Sequence, residues 1–156
     1  MTIPARVLDY VEEKKVDCTV VPHPRSESSL ETAHSAHISG EQLAKAVLLT
    51  ASDSYVLAVL PASHELQISR AEDYFGTDLK LAPESDLPQA FDDCTPGAVP
   101  ALGGAYGIKT IVDKMLTMRS DVYFEAGDHE DLIRVSSKGF RELMADADYA
   151  HISEHK

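Results

Sequence analysis

The chain has 156 residues, with 14 Lys plus Arg against 26 Asp plus Glu and a formal net charge of -12. That length suits one domain, and 44% hydrophobic residues are enough to build a core, which argues against disorder. No apolar run reaches the roughly 18 residues of a membrane-spanning helix, and the acidic balance excludes a broad grip on a polyphosphate backbone.

The opening residues, MTIPARVLDYVEEKK, show no basic segment followed by an apolar stretch and a small-residue cleavage site, so no secretory signal is expected. Two cysteines, Cys18 and Cys94, are too few for a disulfide framework and have no metal-ligand spacing, which fits a reducing cytoplasm. No repeat and no linker divides the chain, so residues 1–156 read as a single domain.

In chain order, Ile3, Val7, Leu8 and Val11 recur at helical spacing and predict a helix over 3–15, with Pro4 in its first turn. Residues 18–21 form a short β-branched run, which Pro22, His23 and Pro24 break. A capped short helix is expected over 28–36. Two β-rich apolar runs, 44–50 and 55–60, are separated by 51–54 and predict a hairpin. A short strand is expected over 65–68, a helix over 69–75 closed by Gly76, a strand over 79–82 and a helix from Pro83 to Phe91. After a turn-rich stretch, 95–107, come a strand over 108–112 and a helical turn over 113–118. A second hairpin is expected over 122–126 and 131–135, then a helix from Ser136 or Ser137 to about Ala145 and a frayed polar tail, 146–156. Hairpins mixed with longer crossovers make this an α+β pattern with a mixed sheet. The glycine-rich nucleotide loops and the Gly-x-Ser-x-Gly nucleophile elbow are absent from the sequence.

Four features could carry chemistry. Strand alternation puts Lys45, Val47 and Leu49 on one face, so Lys45 either aims at an anion from the mouth of an apolar face or snorkels to solvent. The stretch Thr95 to Gly104 brackets Gly97 with two prolines and exposes backbone groups, which suits either clamping a small substrate or a plain connection. His34 and His37 share helical spacing, but no third ligand accompanies them, and no metal is expected. Cys18 and Cys94 lack any histidine partner in a recognisable motif, and the carboxylates are scattered.

These pieces, taken in order, carry a resemblance. His23-Pro24, Leu43-Ala44-Lys45, the run Val56 to Ala62, Cys94 to Pro100, Ile111-Val112-Asp113, Phe124 to Gly127 with His129, and the closing 136–143 segment match a known pattern over about 20–145. The chain resembles the YbaK/ProX family of free-standing aminoacyl-tRNA deacylases, which is similar to the editing domain inserted in bacterial prolyl-tRNA synthetases. The resemblance implies a compact domain whose mixed sheet curls, barrel-like, around a pocket, with helices flanking it. It implies a trans-editing hydrolase that cleaves the ester of a mischarged tRNA and releases a wrong small amino acid, without cofactor or metal. The resemblance implies that Lys45 takes the place of the family's key lysine and binds the phosphate or ribose of the terminal nucleotide. It implies a substrate loop over Gly97 to Ala101, Pro100 included, with the backbone of Gly97, Ala98 and Val99 holding the carbonyl and ammonium ends of the amino acid, His129 orienting substrate or water, and the residues near His23 setting pocket size.

Family members often read Gly-x-x-x-Pro in this loop. Here the fourth position after Gly97 is Ala101, and Pro100 lies one residue earlier. Ala46 stands where some alanine-specific members carry asparagine. The implied partners are a tRNA 3′ end carrying a small amino acid and, as a second candidate, an aminoacyl-tRNA synthetase, with neither membrane nor DNA. The alternative is a non-catalytic module that binds aminoacyl-tRNA or a synthetase. With a charge of -12, such a protein would grip mainly the 3′ end, through Lys45 and some of Arg25, Lys109, Lys114 and Arg134, or bind with the help of a synthetase or elongation factor. Weak tRNA binding with a shallow salt dependence follows.

Overall fold

A computed structural model describes residues 3–23, 29–95 and 98–156. Its core is a mixed sheet with strand order β1-β8-β7-β2-β3-β6-β9, and β5 pairs with β2 off this path. The strands are β1 (Cys18–Pro22), β2 (Leu43–Ala51), β3 (Ser54–Pro61), β5 (Lys80–Leu81), β6 (Lys109–Asp113), β7 (Asp121–Glu125), β8 (Asp131–Ser136) and β9 (Asp148–Ala150). A separate two-stranded ribbon joins β4 (His64–Leu66) to β10 (Ser153–His155). The helices are α1 (Ala5–Glu13), α2 (Ser29–Ser35), α3 (Ile68–Phe75), α4 (Leu87–Ala90) and α5 (Ser137–Leu143).

The expected hairpin forms as β2 and β3, in antiparallel register from Ala44↔Pro61 to Ala51↔Ser54. Its turn is tighter than the spacing suggested, because Ala51 and Ser54 already pair and leave Ser52 and Asp53 as the loop. Val56 to Leu60 are all buried because the sheet is covered on both faces, which is why the run reads as continuous rather than alternating. On one face Ala44, Leu48, Leu57, Val59, Val112 and Phe124 pack with α1 and α5 through Val7, Val11, Phe140 and Leu143. On the other, Leu49, Val56, Ala58, Leu60 and Ile111 meet Ala71 of α3, and farther along Leu43 and Leu132 meet Ala33 of α2. Lys45, Val47 and Leu49 share this second face.

Local signals placed the caps. Ser136 Oγ accepts the Gly139 N–H at 3.0 Å and starts α5, and Asp113 accepts the Met115 N–H at 2.8 Å and starts a 3-10 turn over Lys114–Met118. Gly76 closes α3 in the left-handed conformation, with φ +67. The expected helix from Pro83 shrinks to a 3-10 turn, Glu84–Asp86, and the single turn of α4.

The expectation of a frayed tail over 146–156 is overturned. β9 adds to the sheet in parallel with β6, and β10 pairs antiparallel with β4 in register Ser153↔Leu66 to His155↔His64. Ile152 and Ser153 are fully buried. A polar segment can dock this way when one or two side chains reach the core while the rest of the strand faces water.

Candidate functional site

β2 has an interrupted edge. β7 pairs with it in parallel only at Leu43↔Tyr123 and Ala44↔Phe124, while β5 joins the same edge only at Leu49↔Leu81 and Thr50↔Lys80. The odd-numbered residues of β2 face β3, as the 2.8 Å bond from Ala62 N–H to the Leu43 carbonyl shows, so the even-numbered ones face this edge. The Ala82 N–H accordingly donates to the Leu48 carbonyl at 2.9 Å. The N–H and C=O of Ala46 fall between the two ladders and point into the gap.

The gap is a cavity of about 310 Å³. Residues 43–48 of β2, Leu81, Ala82, Glu84, Leu87, Val99 and Glu125 line it. Lys45 stands here, half-buried, with its Nζ donating to the His64 carbonyl at 2.6 Å. Burial lowers its pKa to about 8, and the nearby Lys156 ammonium adds to the effect while Glu65 opposes it. Lys45 is thus charged at neutral pH and loses its charge above about pH 8.

Glu125, at the end of β7, is the second ionisable group of interest in the lining. Burial raises its carboxyl pKa; the charges of His23 and His129, and hydrogen bonds from His23 and Thr32, pull the other way. His23 Nε2 lies 3.4 Å from Glu125 Oε2, and the His23 and His129 rings meet edge to face at 6.3 Å. Neither histidine is among the residues lining the cavity; both stand behind Glu125. His129 occupies the β7–β8 turn with φ +62. There Asp128 Oδ1 accepts the N–H groups of Glu130 at 3.0 Å and Asp131 at 2.9 Å. A hydrogen bond with Asp128 pushes the Asp131 carboxyl up to about 6, so that pair shares a proton in mildly acidic solution.

Of the expected substrate loop, Val99 reaches the cavity, Ala98 and Pro100 are buried beside it, and Gly97 lies outside the described residues together with Pro96. The loop is tied to the β7–β8 turn, because the Thr95 N–H donates to the Gly127 carbonyl at 2.8 Å and the Ala98 N–H to that of Thr95 at 2.9 Å. Of the supplementary cations, Arg25 lies outside the described residues, Arg134 binds Asp121 at 3.0 Å, and Lys109 sits over the Phe75 ring. Among the described residues no group of three or more His, Cys, Asp or Glu side chains could hold a metal. Burial pushes the Cys94 thiol up to about 12, which leaves it un-ionised and a poor nucleophile.

Sequence reasoning missed Glu125. It stood inside a quoted motif, but only the burial that β7 and His23 create separates it from the other carboxylates.

A mixed eight-stranded sheet with flanking helices is the fold of editing-domain structures. The chain belongs to the aminoacyl-tRNA editing domain family, which it matches over residues 23–143. It is similar in fold to a candidate trans-editing enzyme for prolyl-tRNA synthetase, with TM-score 0.82, 20% identity, and 96% of this chain and 95% of that one covered. It is similar likewise to the hypothetical protein APE2540, with TM-score 0.85, 20% identity and coverage of 96% and 99%. A third similar structure comes from work on computational grafting of linear epitopes onto scaffold proteins, with TM-score 0.80, 23% identity and coverage of 97% and 96%. No curated protein matches the chain. Among the described residues no helix is long and apolar enough to cross a membrane.

Proposed function

We propose that the protein is a trans-editing deacylase that hydrolyses the ester joining a wrong, small amino acid to the 3′ end of a tRNA. Family membership supports the reaction class. The observation that carries the reading is one cavity holding a cation, Lys45, and a carboxyl group, Glu125, with the backbone of Ala46 between the two ladders. An aminoacyl nucleotide offers the complementary groups: a phosphate, an ester carbonyl and an α-ammonium. A volume of about 310 Å³ stands at the small end of ligand sites, which suits a small side chain.

Lys45 binds the phosphate or ribose of the terminal nucleotide, and Glu125, held by His23 and Thr32, receives the α-ammonium. The Ala46 N–H supports the carbonyl oxygen as negative charge develops on it, and Val99 bounds the amino-acid side. The ester is already activated by its electron-withdrawing ammonium, so positioning and oxyanion support suffice. Water adds to the carbonyl carbon, the bond to the ribose oxygen breaks, and that oxygen keeps the proton the water gave up. The raised Cys94 pKa is consistent with water rather than a thiolate as nucleophile. The acidic surface leaves room for help from a synthetase in bringing the tRNA.

The test is a panel of tRNAs charged with Ala, Ser, Thr and Cys. Release of at least one small amino acid, faster with wild type than with Lys45→Ala, is the expected result. Persistence of every ester overturns the reading, and tight binding of charged tRNA without hydrolysis would instead favour the non-catalytic module. Within the same assay, Glu125→Gln is expected to raise KM about tenfold for the free aminoacyl ester, the size of one charge-assisted hydrogen bond. N-acetylated aminoacyl-tRNA should be a poor substrate for both proteins, and equal hydrolysis of acetylated and free esters would remove Glu125 from ammonium recognition.

A further inference from the structure

The last strand reaches Lys45 through a buried chain of hydrogen bonds. Ser153 Oγ donates to Asp113 Oδ2 at 2.6 Å. The Ser153 oxygen is thereby left to accept from His64 Nδ1 at 2.9 Å, which fixes the proton of the neutral imidazole on Nδ1. Asp113 Oδ2 also accepts the Ile152 N–H at 3.1 Å, and Oδ1 accepts the Met115 N–H at 2.8 Å. Asp113 and Ser153 are wholly buried and His64 is 5% exposed. The backbone carbonyl of this same His64 receives Lys45 Nζ at 2.6 Å. On its other side, β4 is clamped by β10 and by the Lys156 N–H, which donates to the Ser63 carbonyl at 3.1 Å.

A lysine side chain has four rotatable bonds and loses much of its freedom when held in one place. Holding an ammonium at a cavity mouth therefore needs a rigid acceptor. A carbonyl on a three-residue strand becomes rigid only if its residue is fixed, and the Asp113–Ser153–His64 chain fixes it from the core outward. Asp113 is itself held in place by three donors, the Ser153 hydroxyl and the N–H groups of Ile152 and Met115, the last of which starts the 3-10 turn at Lys114. Ser153 lies beyond the stretch, 23–143, over which the chain matches its family.

We infer that Ser153 is a positioning residue for Lys45, and that β10 is thereby a working part of the site rather than a mere edge strand. The inference rests on the reading of Lys45 as the group that binds the terminal nucleotide. The charged and titratable neighbours are few: Lys156 and Glu65 face Lys45, and Asp113, His155, Glu41 and His151 face His64.

Ser153→Ala removes the central link at the cost of one oxygen atom. Two readouts decide the matter. The first is aminoacyl-tRNA hydrolysis, where KM is expected to rise about tenfold and kcat to stay within about twofold, since a binding group is displaced while the reacting atoms are untouched. The second is NMR titration of the Lys45 ammonium in lysine-labelled protein without tRNA, where a side chain no longer held in its half-buried position gains water, and this relief of desolvation should move the midpoint upward by about half a pH unit or more. Ser153→Thr, which keeps the hydroxyl, should restore both. An unchanged KM together with an unchanged Lys45 titration in a folded Ser153→Ala protein overturns the inference. If wild type hydrolyses no aminoacyl-tRNA, the functional reading fails while the titration still decides whether Ser153 positions Lys45. Should Ser153→Ala not fold, His64→Phe breaks the same chain at its outer link and carries the same two readouts.

Discussion

Lys45→Met is expected to abolish most deacylation while leaving the protein at least as stable as wild type at neutral pH. Methionine keeps an unbranched stem along the face shared with Val47 and Leu49, so little packing is lost. What disappears is a charge-assisted contact with substrate, worth about 1.5–3 kcal/mol, or roughly ten- to a hundredfold in kcat/KM, and more if the contact tightens in the transition state. Stability moves the other way. The folded-state pKa of Lys45, about 8, lies below its ordinary 10.5, so the unfolded chain binds the extra proton between those values. The contribution of Lys45 is therefore a cost that is fully present below about pH 8 and relieved as pH rises toward 10.5. The variant lacks this cost. Thermal melts at pH 7 and pH 9.5 check the argument: wild type should gain on the variant as pH rises. The wild-type KM should also climb through about pH 8 as the ammonium is lost, and the variant's KM should not follow. A variant that keeps full activity would remove Lys45 from the site.

The same residue shows how far a sequence can be read. Alternation along β2 put Lys45 on the correct face because β2 is regular and β3 pairs along most of its length. The caps at Ser136 and Asp113 and the left-handed end at Gly76 follow from chemistry within a few residues. The tail fails that test. Ser153 meets its partners His64 and Asp113 across 89 and 40 positions, and only the folded sheet brings them together. Locally, residues 153–155 are a serine, a glutamate and a histidine, indistinguishable from a solvated end. The cavity has the same origin. It is a gap between two strands that stop short on one edge of β2, and pairing length is set by where β5 and β7 turn away, not by any pattern in residues 43–48.

Replacing Gly127 with alanine is expected to cost about 2–4 kcal/mol, a large share of the 5–15 kcal/mol that holds a domain of this kind together. Two terms add. Gly127 has φ +106, outside the region a side chain tolerates. A Cβ there would lie 3.0 Å from both Pro4 Cδ and Cγ and 3.1 Å from Cys94 Sγ. None of these atoms gives way easily. Pro4 is a ring fixed at the start of α1, and the Cys94 thiol is held by Tyr106 Oη at 3.1 Å. Shifting the backbone instead would pull the Gly127 carbonyl from the Thr95 N–H and drag the turn between Glu125 and His129, so the loop bearing Val99 and the carboxyl group facing the cavity would move together. Gly76→Ala supplies the comparison. It too has positive φ, +67, but a Cβ there meets nothing within 4 Å, so it should cost only about 1–2 kcal/mol of left-handed strain. Urea midpoints of the two variants measure the difference, which combines the harsher backbone angle of Gly127 with the packing around Pro4 and Cys94. Equal midpoints would mean that the close approach at Gly127 does no more than its backbone angle.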